Sequence, residues 1–232
     1  MNRMPMYARK RLFYLALAVA VLPFVTFNLS YLIAVSQVHV PFCFTYLDGC
    51  TSVSSTGRQA PEMWVFKPGV LALAFCLALH WHYSAETLSK HGVRAARART
   101  LRTLALVSVM ALTIYAVTLG LPDEQFGKLR RVGTHGFAFS SWLTQIAFVV
   151  FYRPVRIEAT RAAYRWLVLA TAALLVVGIA SETAKAMGWP RKVTNNIAAW
   201  NAFLMMTAYY LVLARIWWHH NKSSGLAASP NE

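Results

Sequence analysis

Long apolar runs alternate with short polar, basic or proline-bearing stretches along the whole chain. A hydrocarbon core about 30 Å thick is crossed by a helix of roughly 20 apolar residues. Six segments approach that length, at about residues 12–35, 65–84, 103–121, 136–152, 166–184 and 196–218. The pattern predicts an all-α integral membrane protein: a six-helix transmembrane bundle over residues 1–222, with a structured loop at 36–64. The polar tail at 223–232 has the composition of a disordered segment. The first segment carries a basic flank (Arg9, Lys10, Arg11), as a signal peptide does. It is too long for a signal core and lacks a clear small-residue cleavage site, so it reads as a retained span.

Composition strengthens this reading. Of the 232 residues, 57% are hydrophobic and 13% are charged, against about a quarter charged in soluble domains. The net charge of +15 would by itself suggest nucleic acid, but where the charge falls changes the inference. Six spans put both termini on one side. If that side is the cytoplasm, 15 of the 23 Lys and Arg residues are inside, including Arg94, Arg97, Arg99 and Arg102, and 8 are outside. The positive-inside rule therefore places the N and C termini in the cytoplasm. The excess charge follows from topology and contact with anionic lipid. The expected partners are membrane lipids, with membrane protein partners left open, and no nucleic acid. The basic stretch 84–102 reads either as a plain topogenic loop or as a short interfacial helix.

Cys43 and Cys50 fall in the first outer loop, the oxidising side in most compartments, whereas Cys76 lies within a span. A Cys43–Cys50 bridge is expected, with two reduced thiols as the alternative. The bridge would close "FTYLDG" and hold Asp48 near the membrane surface. No zinc-ligand spacing occurs, and no metal or other cofactor is expected. His80 and His82 in "HWHY" point about 200° apart on a helix. They read as interfacial residues beside Trp81 and Tyr83.

The loop continues as "CTSVSSTGRQAPEMWVFKPG". Gly57 suits a turn that needs positive φ, and Ser54, Ser55 and Thr56 suit side-chain-to-backbone turns. Pro61 suits the first position of a helix and Glu62 its positive end. Trp64 suits the headgroup level. Pro68 predicts either a kink or the end of a short interfacial helix.

The stretch "SVSSTGRQAPEMWVFKPG" resembles the pattern Ser-x-Ser-x-x-Gly-x-x-x-Pro-Glu-x-x-x-Phe that follows the first span in the Frag/DRAM/Sfk family. Val53-Ser54 stands where members usually carry Ile-Ser. The family includes DRAM autophagy modulators and the Golgi factor for GPI-anchor lipid remodelling. The resemblance implies a six-span layout and a role in lipid remodelling.

Ionisable groups at membrane depth mark candidate sites. Glu182 is the only carboxylate within a predicted span, and Thr171, Leu175 and Gly178 share its face. Gly178 would let a neighbouring helix approach. The alternative is an interfacial Glu182 paired with Lys185 or Arg191. His135, with Ser141 and Gln145 further along the same span, is a candidate proton acceptor. Asn195, Asn196, Asn201, Asn28 and Ser30 suit hydrogen bonds between helices.

Asp48, Glu62, His135, Glu182 and Asn195 thus gather at the outer end. There they predict a lipid or glycolipid site contacted by Asn28, Ser54, Ser55, Gly57, Glu62, Trp64 and Asn195. Were the site catalytic, the expected reaction is acyl transfer or hydrolysis, with His135 as base oriented by Glu182 or Asp48. Ser54, Ser55 or water would be the nucleophile. No Gly-x-Ser-x-Gly, His-Glu-x-x-His or phosphate-loop motif is present. A non-catalytic membrane regulator or scaffold is the alternative. A transporter would be expected to show inverted repeats or broken helices, and none is evident apart from Pro23. The expected location is the inner membrane in a bacterium, or the Golgi or another endomembrane in a eukaryote.

Overall fold

The computed structural model describes residues 6–225. Every regular element among them is helical: α1 (Met6–Ser36), the short α2 (Thr45–Asp48), α3 (Met63–Lys90), α4 (Ala95–Thr118), α5 (Glu124–Tyr152), α6 (Arg161–Ala186) and α7 (Arg191–Gly225), with one 3₁₀ segment between α2 and α3 and two between α5 and α6. The last part of the predicted tail, residues 226–232, lies outside the described residues.

Five helices, α1, α3, α4, α6 and α7, are long and apolar enough to cross a membrane, as in a multi-pass membrane protein. The sequence predicted six. The difference is α5, which is long enough but opens with Glu124, Lys128, Arg130, Arg131 and His135. Those polar turns leave too short an apolar stretch to qualify.

α1 lies between α3 and α7. α4 joins α3 to α5, and α6 rests on α7 while touching α5 more sparsely. Pro23 and Pro68 both lie inside continuous helices, so no separate interfacial helix precedes α3. Likewise α3 runs on to Lys90 and α4 starts at Ala95, so Arg97, Arg99 and Arg102 extend α4 rather than forming a helix of their own. α4 stops at Thr118, before Gly120, whose φ of 78° turns the chain towards Pro122. Asp123 caps α5 by accepting from the Gln125 amide at 3.1 Å.

The centre is aromatic. Trp81, Phe148, Tyr210 and Trp217 are buried against one another, with ring centroids about 6 Å apart. Between helices in lipid, van der Waals packing of this kind replaces the hydrophobic driving force. Offset and edge contacts between rings add about 0.5–1.5 kcal/mol per pair. His80 belongs to this core: it is fully buried, its ring lies 5.6 Å from Tyr210, and its Nε2 is 3.4 Å from Ser84 Oγ. The interfacial reading of His80 and Trp81 is therefore corrected, because their helix face points into the bundle. At the end opposite the loop, Tyr152 Oη lies 2.7 Å from His220 Nε2 and 3.0 Å from Thr160 Oγ1.

Candidate functional site at the loop end

Residues 37–62 fold over one end of the bundle, held by a disulfide and by hydrogen bonds to α1 and α7. Cys43 and Cys50 are joined, with Cα atoms 6.5 Å apart. Tyr31, near the end of α1, accepts from the Cys43 amide and donates to the Cys43 carbonyl, both at 2.7 Å. Asp48 turns inward on its own segment, its Oδ2 accepting from the Phe44 amide at 2.8 Å.

The first turns of α7 hold the other side of the loop. Asn196 donates to Gly49 O at 2.8 Å, Trp200 Nε1 to Thr51 O at 3.1 Å, and Asn201 to Tyr46 O at 2.8 Å. Asn28 of α1 meets the Tyr46 hydroxyl at 3.2 Å. Hydrogen bonds from the asparagines were expected to run between helices. Asn28 and Asn201 do join α1 and α7 to the short helix α2 through Tyr46, whereas Asn196 instead ties α7 to the carbonyl of Gly49, a backbone group outside any helix that needs a donor.

The serine-rich turn is likewise closed on itself. Ser52 Oγ accepts from the Ser55 amide at 3.2 Å and lies 2.6 Å from Ser55 Oγ and 3.2 Å from Ser54 Oγ. Gly57 is not at positive φ, which corrects the turn expected there. It is small because a Cβ would overlap the ring of Phe66 on α3. Trp64, 70% exposed, stands at the start of α3.

The expected catalytic trio is not brought together. His135 is exposed on α5. Glu182 pairs with Lys185, whose amine also donates to Asn195 Oδ1 at 3.1 Å. Among the described residues nothing lies within 4 Å of where a Gly178 Cβ would stand, so the close contact expected beside Glu182 does not form there. Among the described residues, no hydrogen bond or ion pair joins any two of Asp48, His135 and Glu182.

A different pair is assembled. Glu62, at the N-cap position of α3, is completely buried, and its Oε1 lies 2.9 Å from Nδ1 of His39, whose side chain is 25% exposed. The second carboxylate oxygen, Oε2, is buried without a hydrogen-bond partner. His39 is placed by the end of α1. The His39 amide donates to Ala34 O at 2.9 Å and the Val38 amide to Val35 O at 3.0 Å. This is the double closure of a helix C-terminus in which the residue between is left-handed. That residue is Val38, at φ 58°, a conformation normally left to glycine. A β-branched residue held there is strained, and such strain clusters at functional positions.

His39 escaped the sequence reading because nothing in its own surroundings marks it. The readable signal was Glu62, a carboxylate at the start of a span, which must find a partner once buried. No family model, curated protein or solved structure is matched by this chain.

Proposed function

We propose that the loop end faces outward on a six-span protein with both termini in the cytoplasm. There it binds a lipid or glycolipid headgroup and remodels that lipid through the His39–Glu62 dyad. The observation that carries this reading is the 2.9 Å contact between a fully buried carboxylate and a partly exposed imidazole. With Nδ1–H donated to Glu62, the ring presents Nε2 as an acceptor. In ester hydrolysis, Nε2 takes the proton of a water whose oxygen attacks the acyl carbon. It then returns that proton to the departing alkoxide. Glu62 holds the ring in place and stabilises the imidazolium between the two steps. The resemblance of 52–66 to the Frag/DRAM/Sfk pattern, with Glu62 at its Pro-Glu position, supports a lipid substrate.

A second reading, a non-catalytic lipid-sensing regulator, is supported by the serines. Ser52, Ser54 and Ser55 are bonded among themselves, as structural rather than reacting hydroxyls would be. One experiment separates the two readings. Membranes expressing wild type, His39→Ala, Glu62→Gln or His135→Ala at matched levels are profiled by quantitative lipid mass spectrometry. An acyl change that requires His39 and Glu62 but not His135 is the expected result. Identical profiles in all four would remove the catalytic role and leave the regulator.

A further inference from the structure

On the same end of the bundle, a cavity of about 440 Å³ opens between the loop and the α4–α5 connection. Arg58 reaches it from the loop, and Arg130 and Arg131 reach it from the second turn of α5, beside Gln59 and Gly127. Asp123 and Glu124 also line it. Neither carboxylate forms an ion pair with the three arginines: Asp123 accepts from the Gln125 amide, and Glu124 pairs with Lys128 at 3.1 Å. Among the described residues, Arg58, Arg130 and Arg131 have no salt-bridge partner.

The arrangement is built into the fold. Gly120 packs so closely that a Cβ there would lie 2.8 Å from Arg58 O, fixing the loop against the α4–α5 turn. Gly133 lets α5 lie on α4 at the next turn, where a Cβ would meet Ala111 O at 2.8 Å. Two distant parts of the chain are thereby locked with three guanidinium groups around one space. Partial burial holds the Arg130 pKa below its usual range, and the nearby Arg58 and Arg131 push it the same way. The three arginines outnumber the two carboxylates that line the cavity, so their mutual repulsion opposes folding, and an anion bound between them offsets it.

We propose that this cavity is the phosphate subsite of the proposed headgroup site, taking the phosphodiester of an anionic phospholipid. The inference rests on the outward-facing lipid reading and adds the headgroup's chemistry. Arginine's planar fork pairs with phosphate oxygens two at a time, which a single lysine amine cannot do. The volume exceeds what one inorganic phosphate fills. The placement also runs against the positive-inside rule, under which arginines on the outer side are disfavoured unless something retains them.

The test uses the full chain in phosphatidylcholine nanodiscs doped with phosphatidylglycerol, and in detergent with inorganic phosphate. Lipid retained per protein is counted by native mass spectrometry for wild type, the triple variant R58Q/R130Q/R131Q, the triple Arg→Lys variant, and R99Q/R102Q as a control at the other end. Wild type is expected to retain phosphatidylglycerol over phosphatidylcholine. The Gln variant should lose about tenfold or more in apparent affinity, the Lys variant should lose less, and the control, which removes two charges that face anionic lipid without a cavity, should lose about twofold at most. Equal retention by wild type and a folded, disulfide-intact Gln variant would overturn the site. Phosphate binding without any preference for phosphatidylglycerol would overturn the lipid source and leave a soluble phosphate as the ligand. Binding is read without turnover, so lipid retention by wild type and the Gln variant is scored independently of any acyl change that depends on the dyad. Failure of the dyad chemistry and failure of this subsite are thus seen separately.

Discussion

The side-chain amide of Asn196 donates to the carbonyl oxygen of Gly49, 147 residues earlier in the chain, at 2.8 Å and out of contact with solvent. Removing the donor leaves a buried carbonyl unsatisfied, a loss of about 1–3 kcal/mol. Asn196→Ala should therefore lower the thermal midpoint in detergent. Asn195→Ala, one position earlier on the exposed side of α7, should change it little. Equal midpoints for the two variants would mean that the Asn196–Gly49 bond does not hold the loop.

Gly57 faces Phe66 with no room for a methyl group. Gly57→Ala should destabilise by about 1–3 kcal/mol through overpacking. Adding Phe66→Leu should restore part of the loss, and a double-mutant cycle on thermal midpoints measures that coupling. Additive losses would show that the two sites do not touch.

Val38 sits at φ 58° immediately before His39. Val38→Gly should relieve strain of about 1 kcal/mol or more, raising the unfolding temperature. Should the stiff left-handed turn also aim the imidazole, the same variant will lose lipid-profile activity while gaining stability. A midpoint that falls instead would show that the valine side chain contributes more by packing than its backbone costs.

The six-span arrangement turns on α5. Single cysteines replacing Gln125 and Arg156, in a background lacking the native cysteines, should react with a membrane-impermeant maleimide from opposite sides. Gln125→Cys should label in intact cells, and Arg156→Cys only after permeabilisation. Labelling of both from one side would mean that α5 does not cross.

Hydrophobic length was legible in the sequence because crossing a bilayer demands it of any chain, and five of the six apolar runs fall within helices long and apolar enough to cross one. Cys43 and Cys50 were legible as a pair from compartment and proximity. Which polar groups meet was not legible, because that depends on how the helices are arranged. Asp48 bonds within its own segment, Glu182 pairs with Lys185 and His135 is exposed, whereas His39 and Glu62 are 23 residues apart and meet. Periodicity places a residue on a face. It does not say whether another helix covers that face, as exposed Gly178 and buried His80 both illustrate.

The order of synthesis gives the loop's attachments another meaning. The Cys43–Cys50 bridge and the Tyr31 contacts involve only α1 and the segment just after it, so they are available early, while the ribosome is still adding helices. Asn196, Trp200 and Asn201 arrive with the last helix. Domains form N-terminal parts first during translation, so the roof is shaped at the beginning and fastened at the end. A chain truncated before α7 would carry a bridged loop held by α1 and α3 alone, with the carbonyls of Tyr46, Gly49 and Thr51 lacking their donors. Quality-control factors that sample unpaired backbone would find it there.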